Sequence, residues 1–78
     1  MDQQATGRNT LALVISGHIA HRGLTLRQVS DATSIPLTTL HRRLRADADH
    51  FRVNELASLA TLFGIAPSAL LTEAEVAA

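Results

Sequence analysis

The sequence predicts an all-α domain built from five short helices. Three observations carry that expectation. Ala and Leu dominate, and the aromatic residues are two phenylalanines, a composition that favours helix. Apolar residues recur at spacings of three and four, with no sustained alternation of apolar and polar residues. Gly23, Pro36, Gly64 and Pro67 punctuate the chain, so the periodic segments between them are short.

Residues 1 to 8 are polar and read as a flexible N-terminal arm. Asn9 or Thr10 then caps a first helix in which Leu11, Val14, Ile15 and Ile19 share a face, ending near Arg22 with Gly23 as its C-cap. Gly17 inside this helix costs ~1 kcal/mol relative to Ala, so either a neighbouring helix approaches closely there or the helix is weak. Thr25 caps a second helix, Leu26 to about Thr33, with Gln28 completing a capping box and Val29 and Ala32 facing inward. Ser34-Ile35-Pro36 reads as a turn, because the residue before a proline avoids the α region and proline opens the next helix without cost.

The third helix is expected from Leu37 to about Arg45, with Leu40 and Leu44 inward. Ala46 to His50 reads as a polar loop. A fourth helix, about Val53 to Phe63, turns Leu56, Leu59, Ala60 and Phe63 inward and stops at Gly64. Ile65-Ala66-Pro67 opens a fifth helix through Leu71. The domain proper is thus residues 9–72, followed by a tail over 73–78 that extends the last helix, frays, or forms one side of a dimer contact.

At 78 residues the chain makes one small domain, which buries only ~60% of the surface its unfolded form exposes. It has no cysteine, so neither a disulfide framework nor a thiolate zinc site is available. No apolar run approaches the ~20 residues that span a bilayer, and the start lacks the basic and apolar regions of a signal peptide. The expected setting is the cytoplasm, with no membrane partner. Net charge is zero, but it is unevenly spread: Arg42, Arg43, Arg45 and Arg52 lie between Pro36 and Val53 against Asp47 and Asp49, with His41 and His50 nearby. A basic patch on a neutral molecule is still an electrostatic footprint for an anionic partner, although a solvated helix face is the plainer alternative.

Signals for chemistry are weak. His18 and His21 lie three apart on a helix, but two histidines without cysteine or an obvious carboxylate make a poor zinc set. Ser16-Gly17-His18 and the Asp47, Asp49 and His50 group supply no nucleophile elbow, phosphate-cradling loop or cleft. No catalytic residue, metal, cofactor or small-molecule ligand is expected, and an enzyme is the remotest reading.

The segment from Leu24 to Leu44 pairs two helices of about eight residues across a short turn, with Leu26 or Val29, Ala32, Ile35, Leu40 and Leu44 placed to lock them together. It resembles the helix-turn-helix of the Cro and phage-repressor (XRE-like) family. Downstream, Glu55 to Leu71 looks like that family's fourth and fifth helices: an apolar helix ending in Gly64, then Ile65, then a short Leu-rich helix. The resemblance covers roughly residues 11 to 72. It implies a lambda-repressor-like fold and a sequence-specific regulator of transcription on double-stranded DNA, a repressor that occupies its operator in a bacterial or phage-infected cell. A host regulator and an antitoxin share the fold, and a homodimer is one option for its assembly. A protein-interaction module docking an acidic partner on the Leu37 to Arg45 face is the rival of another class.

By position, the resemblance implies base reading by Leu37, Thr38, His41 and Arg42, with Arg42 suited to fork onto a guanine edge. It implies phosphate contacts by Arg27, Arg43, Arg45 and Arg52. Ser34 stands where many members have glycine, Pro36 where they have a Ser or Thr cap, and Leu37 where Gln is common. A buried Arg and Glu pair that many members place on the first and third helices falls here on Ile19 and Leu44. Both should therefore be buried and close together, since an apolar replacement of a buried ion pair is often neutral or stabilising.

Overall fold

The helices start and stop at residues whose backbone preferences demand it. The computed structural model describes residues 3–45 and 51–77. These form α1 (Gln3–His21), α2 (Leu26–Thr33), α3 (Leu37–Arg43), α4 (Val53–Phe63) and α5 (Pro67–Ala77), with no strand among the described residues. Gly64 takes the left-handed conformation that only glycine adopts without strain, at φ 75°, and so ends α4. Thr25 accepts from the Gln28 backbone N–H at 3.1 Å, and the Gln28 side chain accepts from the Thr25 N–H at 2.8 Å. The capping box read from the sequence is thus complete, and α2 has the expected boundaries.

The start of α1 differs from expectation, and the end of α5 follows one of the alternatives left open for the tail. The backbone of α1 is already helical at Gln3, well before the expected Asn9 or Thr10 cap, so most of the segment read as an arm is helix. Polar composition alone does not stop a helix, and Gln3, Gln4 and Ala5 are all good helix formers. At the other end, α5 continues past Leu71 through the tail to Ala77. The loop expected over Ala46 to His50, with Asp47 and Asp49, lies outside the described residues.

One side chain from every helix meets at the centre. Ile15, Val29, Leu40, Leu59 and Leu70 are the largest fully buried side chains, one each from α1 to α5. Ile19, Ile35, Leu56, Ala60 and Phe63 complete the cluster. Each buried Leu, Ile or Phe contributes about 1.5–3 kcal/mol, so every helix is anchored by its own apolar contribution. All four inward positions expected on α4 are buried. Along the chain, α1 packs on α5, α2 on both α3 and α4, and α4 on α5. The last two helices meet at 95°, and no single helix is long and apolar enough to cross a membrane.

Two inward assignments need correction. Ala32 is exposed, and Thr33 takes its place inside, where its hydroxyl donates to the Val29 carbonyl at 2.7 Å. That bond removes the usual penalty for burying a hydroxyl. Leu44 is half-buried against the core and follows the end of α3 instead of lying in its last turn. Ile19 is buried as expected. Around Gly17, a β-carbon would meet nothing within 4 Å, so no close helix approach explains that residue.

Candidate functional site

The turn between α2 and α3 is held by its own side chains. Ser34 sits at φ 63°, the one described residue other than glycine with positive φ. Its N–H donates to the Ser30 carbonyl at 2.9 Å. The Ile35 N–H donates to Thr33 Oγ1 at 3.3 Å, and Ser30 Oγ donates to the Ile35 carbonyl at 2.6 Å. Ile35 itself is buried in the core. Pro36 follows as the N-cap of α3, and its carbonyl accepts from the Leu40 N–H at 3.0 Å. Polar bonds at both ends and an apolar plug in the middle fix the direction in which α3 leaves α2.

That direction and the burial of Leu40 set which side of α3 faces outward. Thr38, His41 and Arg42 are exposed, and Arg45 just beyond the helix is exposed as well. These positions are three and four residues apart, so they form one stripe. Leu37 is half-buried and lies toward the edge of the stripe, so less of it is offered to a partner than its assignment as a base-reading residue requires. Arg45, assigned by the resemblance to phosphate, lies on this stripe at its far end.

Arg43 departs most from expectation. Assigned by resemblance to phosphate, it is instead buried at 6% exposure. Its Nε donates to Glu55 Oε1 at 2.9 Å and its Nη2 to Glu55 Oε2 at 3.3 Å. The physical reason is rotational. On a helix that turns Leu40 inward, the position three residues later lies on the same side, and there Glu55 in the first turn of α4 receives it. Glu55 Oε1 also accepts from the Arg52 backbone N–H at 2.8 Å. Burial alone raises the Glu55 pKa. The side-chain bond from Arg43, the backbone bond from Arg52 and the charges of both arginines outweigh it and hold the carboxyl below its usual 4.5.

Sequence reasoning did not single out Glu55. Two signals were present: it stands alone as a charge in an otherwise uncharged α4, and it occupies the third helical position, where a carboxylate caps the N–H of the residue before the helix. Of the remaining expected phosphate residues, Arg27 on α2 and Arg52 at the start of α4 are exposed, as is Arg45.

A second polar cluster lies at the junction of α1, α4 and α5. Arg22 Nη1 donates to His18 Nδ1 at 2.9 Å, which requires the hydrogen of the neutral ring to sit on Nε2, where it donates to Glu73 Oε1 at 2.8 Å. The His18 ring stacks on Phe63 with centroids 4.9 Å apart. Arg22 lies over the same ring, and its Nη2 donates to the Phe63 carbonyl at 2.8 Å. Leu13, Gly17, His18 and Glu73 help line an open groove here. Its polar groups bond one another in a clasp that joins three helices. No group of three or more His, Cys, Asp or Glu among the described residues is placed to hold a metal.

Comparison with known protein families, characterised proteins and solved structures gave no match.

Proposed function

We propose that the chain is a sequence-specific regulator of transcription that binds duplex DNA, with α2, the Ser34 to Pro36 turn and α3 acting as a helix-turn-helix. Its closest role is that of a phage-type repressor occupying an operator. The observation that carries this reading is the outward stripe of Thr38, His41 and Arg42 on a helix anchored by Leu40 and aimed by a fixed turn. A helix so presented can enter a major groove, where Arg42 meets a guanine edge through two hydrogen bonds. Arg27, Arg45 and Arg52 are the phosphate contacts; Arg43, spent inside on Glu55, is not one of them.

Each neutralised phosphate adds ~0.9 to the fall of log K with log salt, so these three arginines imply a slope near ~2.7 in place of ~3.6 for four. The test selects bound duplexes from a random pool and measures wild type and Arg42→Ala on the selected and a scrambled duplex over a salt series. Arg42→Ala should lose ~1–3 kcal/mol on the selected duplex, with relaxed preference at one base position. An equal loss on both duplexes would make Arg42 a phosphate grip. If the wild type enriches no duplex from the pool, the reading fails and an acidic protein partner for the same face becomes the better one.

A further inference from the structure

We propose that Glu55 is a positioning residue for the DNA-binding surface, an inference that rests on the function assigned above. One carboxylate joins two parts of that surface. Through Oε1 and Oε2 it takes both Nε and Nη2 of Arg43, the residue that follows Arg42 on α3. Through Oε1 it also takes the backbone N–H of Arg52, the exposed residue that opens α4.

The apolar core that holds Leu40 with Leu56 and Leu59 brings α3 and α4 together, and the Glu55 carboxylate adds a directional polar link between these two parts. Residues 44 to 52 separate α3 from α4 in sequence, and α3 packs chiefly against α2. A side-on arginine–carboxylate pair fixes orientation as well as distance, because the guanidinium is planar and both oxygens are engaged. The side chains of both partners are nearly enclosed, at 6% and 11% exposure, so water does not loosen the geometry as it does for surface pairs. Glu55 therefore holds Arg52 at a set place relative to Thr38, His41 and Arg42. A phosphate contact in register with base contacts strengthens the selected duplex over others, whereas an arginine on an unanchored helix end adds only general attraction.

The experiment is a double-mutant cycle in binding. Arg52→Ala keeps its backbone N–H and removes only the outer charge. The pair Arg43→Met with Glu55→Met removes the carboxylate while filling the space with apolar side chains, an exchange that commonly preserves folding. Affinity for the selected and scrambled duplexes is measured by fluorescence anisotropy for wild type, each change and their combination, at a temperature where circular dichroism shows every variant folded. Arg52→Ala should weaken the selected complex about fivefold in the wild type and less than about twofold in the double-Met background. The ratio of selected to scrambled affinity should fall in the double-Met protein. If the double-Met protein does not fold, Glu55→Asp replaces it in the same cycle, since it keeps the charge but is one methylene too short to span both partners. Equal losses from Arg52→Ala in both backgrounds, or an unchanged affinity ratio, overturn the inference while leaving the DNA-binding reading intact. A wild type that binds no duplex overturns both.

Discussion

Replacing Glu55 with Gln should cost the domain about 3 kcal/mol of stability. The carboxylate accepts three hydrogen bonds, at 2.9, 3.3 and 2.8 Å, from Arg43 and the Arg52 amide. Removing one partner of a buried ion pair typically costs ~3–5 kcal/mol, because the remaining charge stays in a place shielded from water. Glutamine keeps one acceptor oxygen, which puts the cost at the low end. A domain of this size is stable by roughly 4–12 kcal/mol in total, and 1 kcal/mol moves the melting temperature of such a domain by ~4–8 °C. The Gln variant should therefore melt ~12–24 °C lower at neutral pH.

Acid supplies an internal control. The folded carboxyl titrates below its usual value, so its contribution is fully present above pH 4.5 and is lost as pH falls through the lower folded value. The gap between wild type and Glu55→Gln should then close as the pH is lowered below 4.5. Thermal melts followed by circular dichroism from pH 7 to pH 3 measure both quantities. A shift under ~4 °C at pH 7, or a gap that stays constant into acid, would refute the assignment of a buried ionised pair.

Two further changes test the turn and the clasp. Ser34→Gly should raise stability by ~0.5–1 kcal/mol, because Ser34 is held at φ 63° with its side chain exposed and glycine removes the steric cost of that conformation at some expense in unfolded-chain entropy; a lower urea midpoint would contradict this. His18→Ala should cost ~1–2 kcal/mol through the lost stack on Phe63, whereas Glu73→Gln should cost less than ~0.5 kcal/mol because Glu73 is 46% exposed. Equal urea midpoints for these two variants would show that the stack is not the main contribution.

How far the sequence could be read depended on whether the deciding contact was local. The start of α2 was legible because Thr25 and Gln28 satisfy each other across one turn. The inward face of α4 was legible because Leu56, Leu59, Ala60 and Phe63 repeat with the helical period, and Gly64 marks the end. Ala32 was placed inward where Thr33 lies, because the burial of Thr33 depends on a hydroxyl bond to Val29 that residue type alone does not reveal. The helical run through Gln3 was missed because polarity was read as conformation.

The buried pair was hidden for a deeper reason. Arginine is exposed in most proteins unless a partner is enclosed with it, and the partner of Arg43 is twelve residues away on another helix. Counting charges between Pro36 and Arg52 therefore added Arg43 to the outward basic patch, when its charge is answered inside by Glu55. Ile19 is buried and Leu44 half-buried, and both are apolar. The resemblance placed an ion pair at those two positions, between the first and third helices. This chain has apolar side chains there, both packed with the core, and carries its buried arginine one residue earlier, facing α4. In this chain the ion pair behind the outward stripe runs to α4, and its carboxylate also accepts from the N–H of Arg52, the N-cap of α4. In this arrangement a change that loosens α4 reaches the proposed reading helix through the Arg43–Glu55 pair as well as through the apolar core that both helices share.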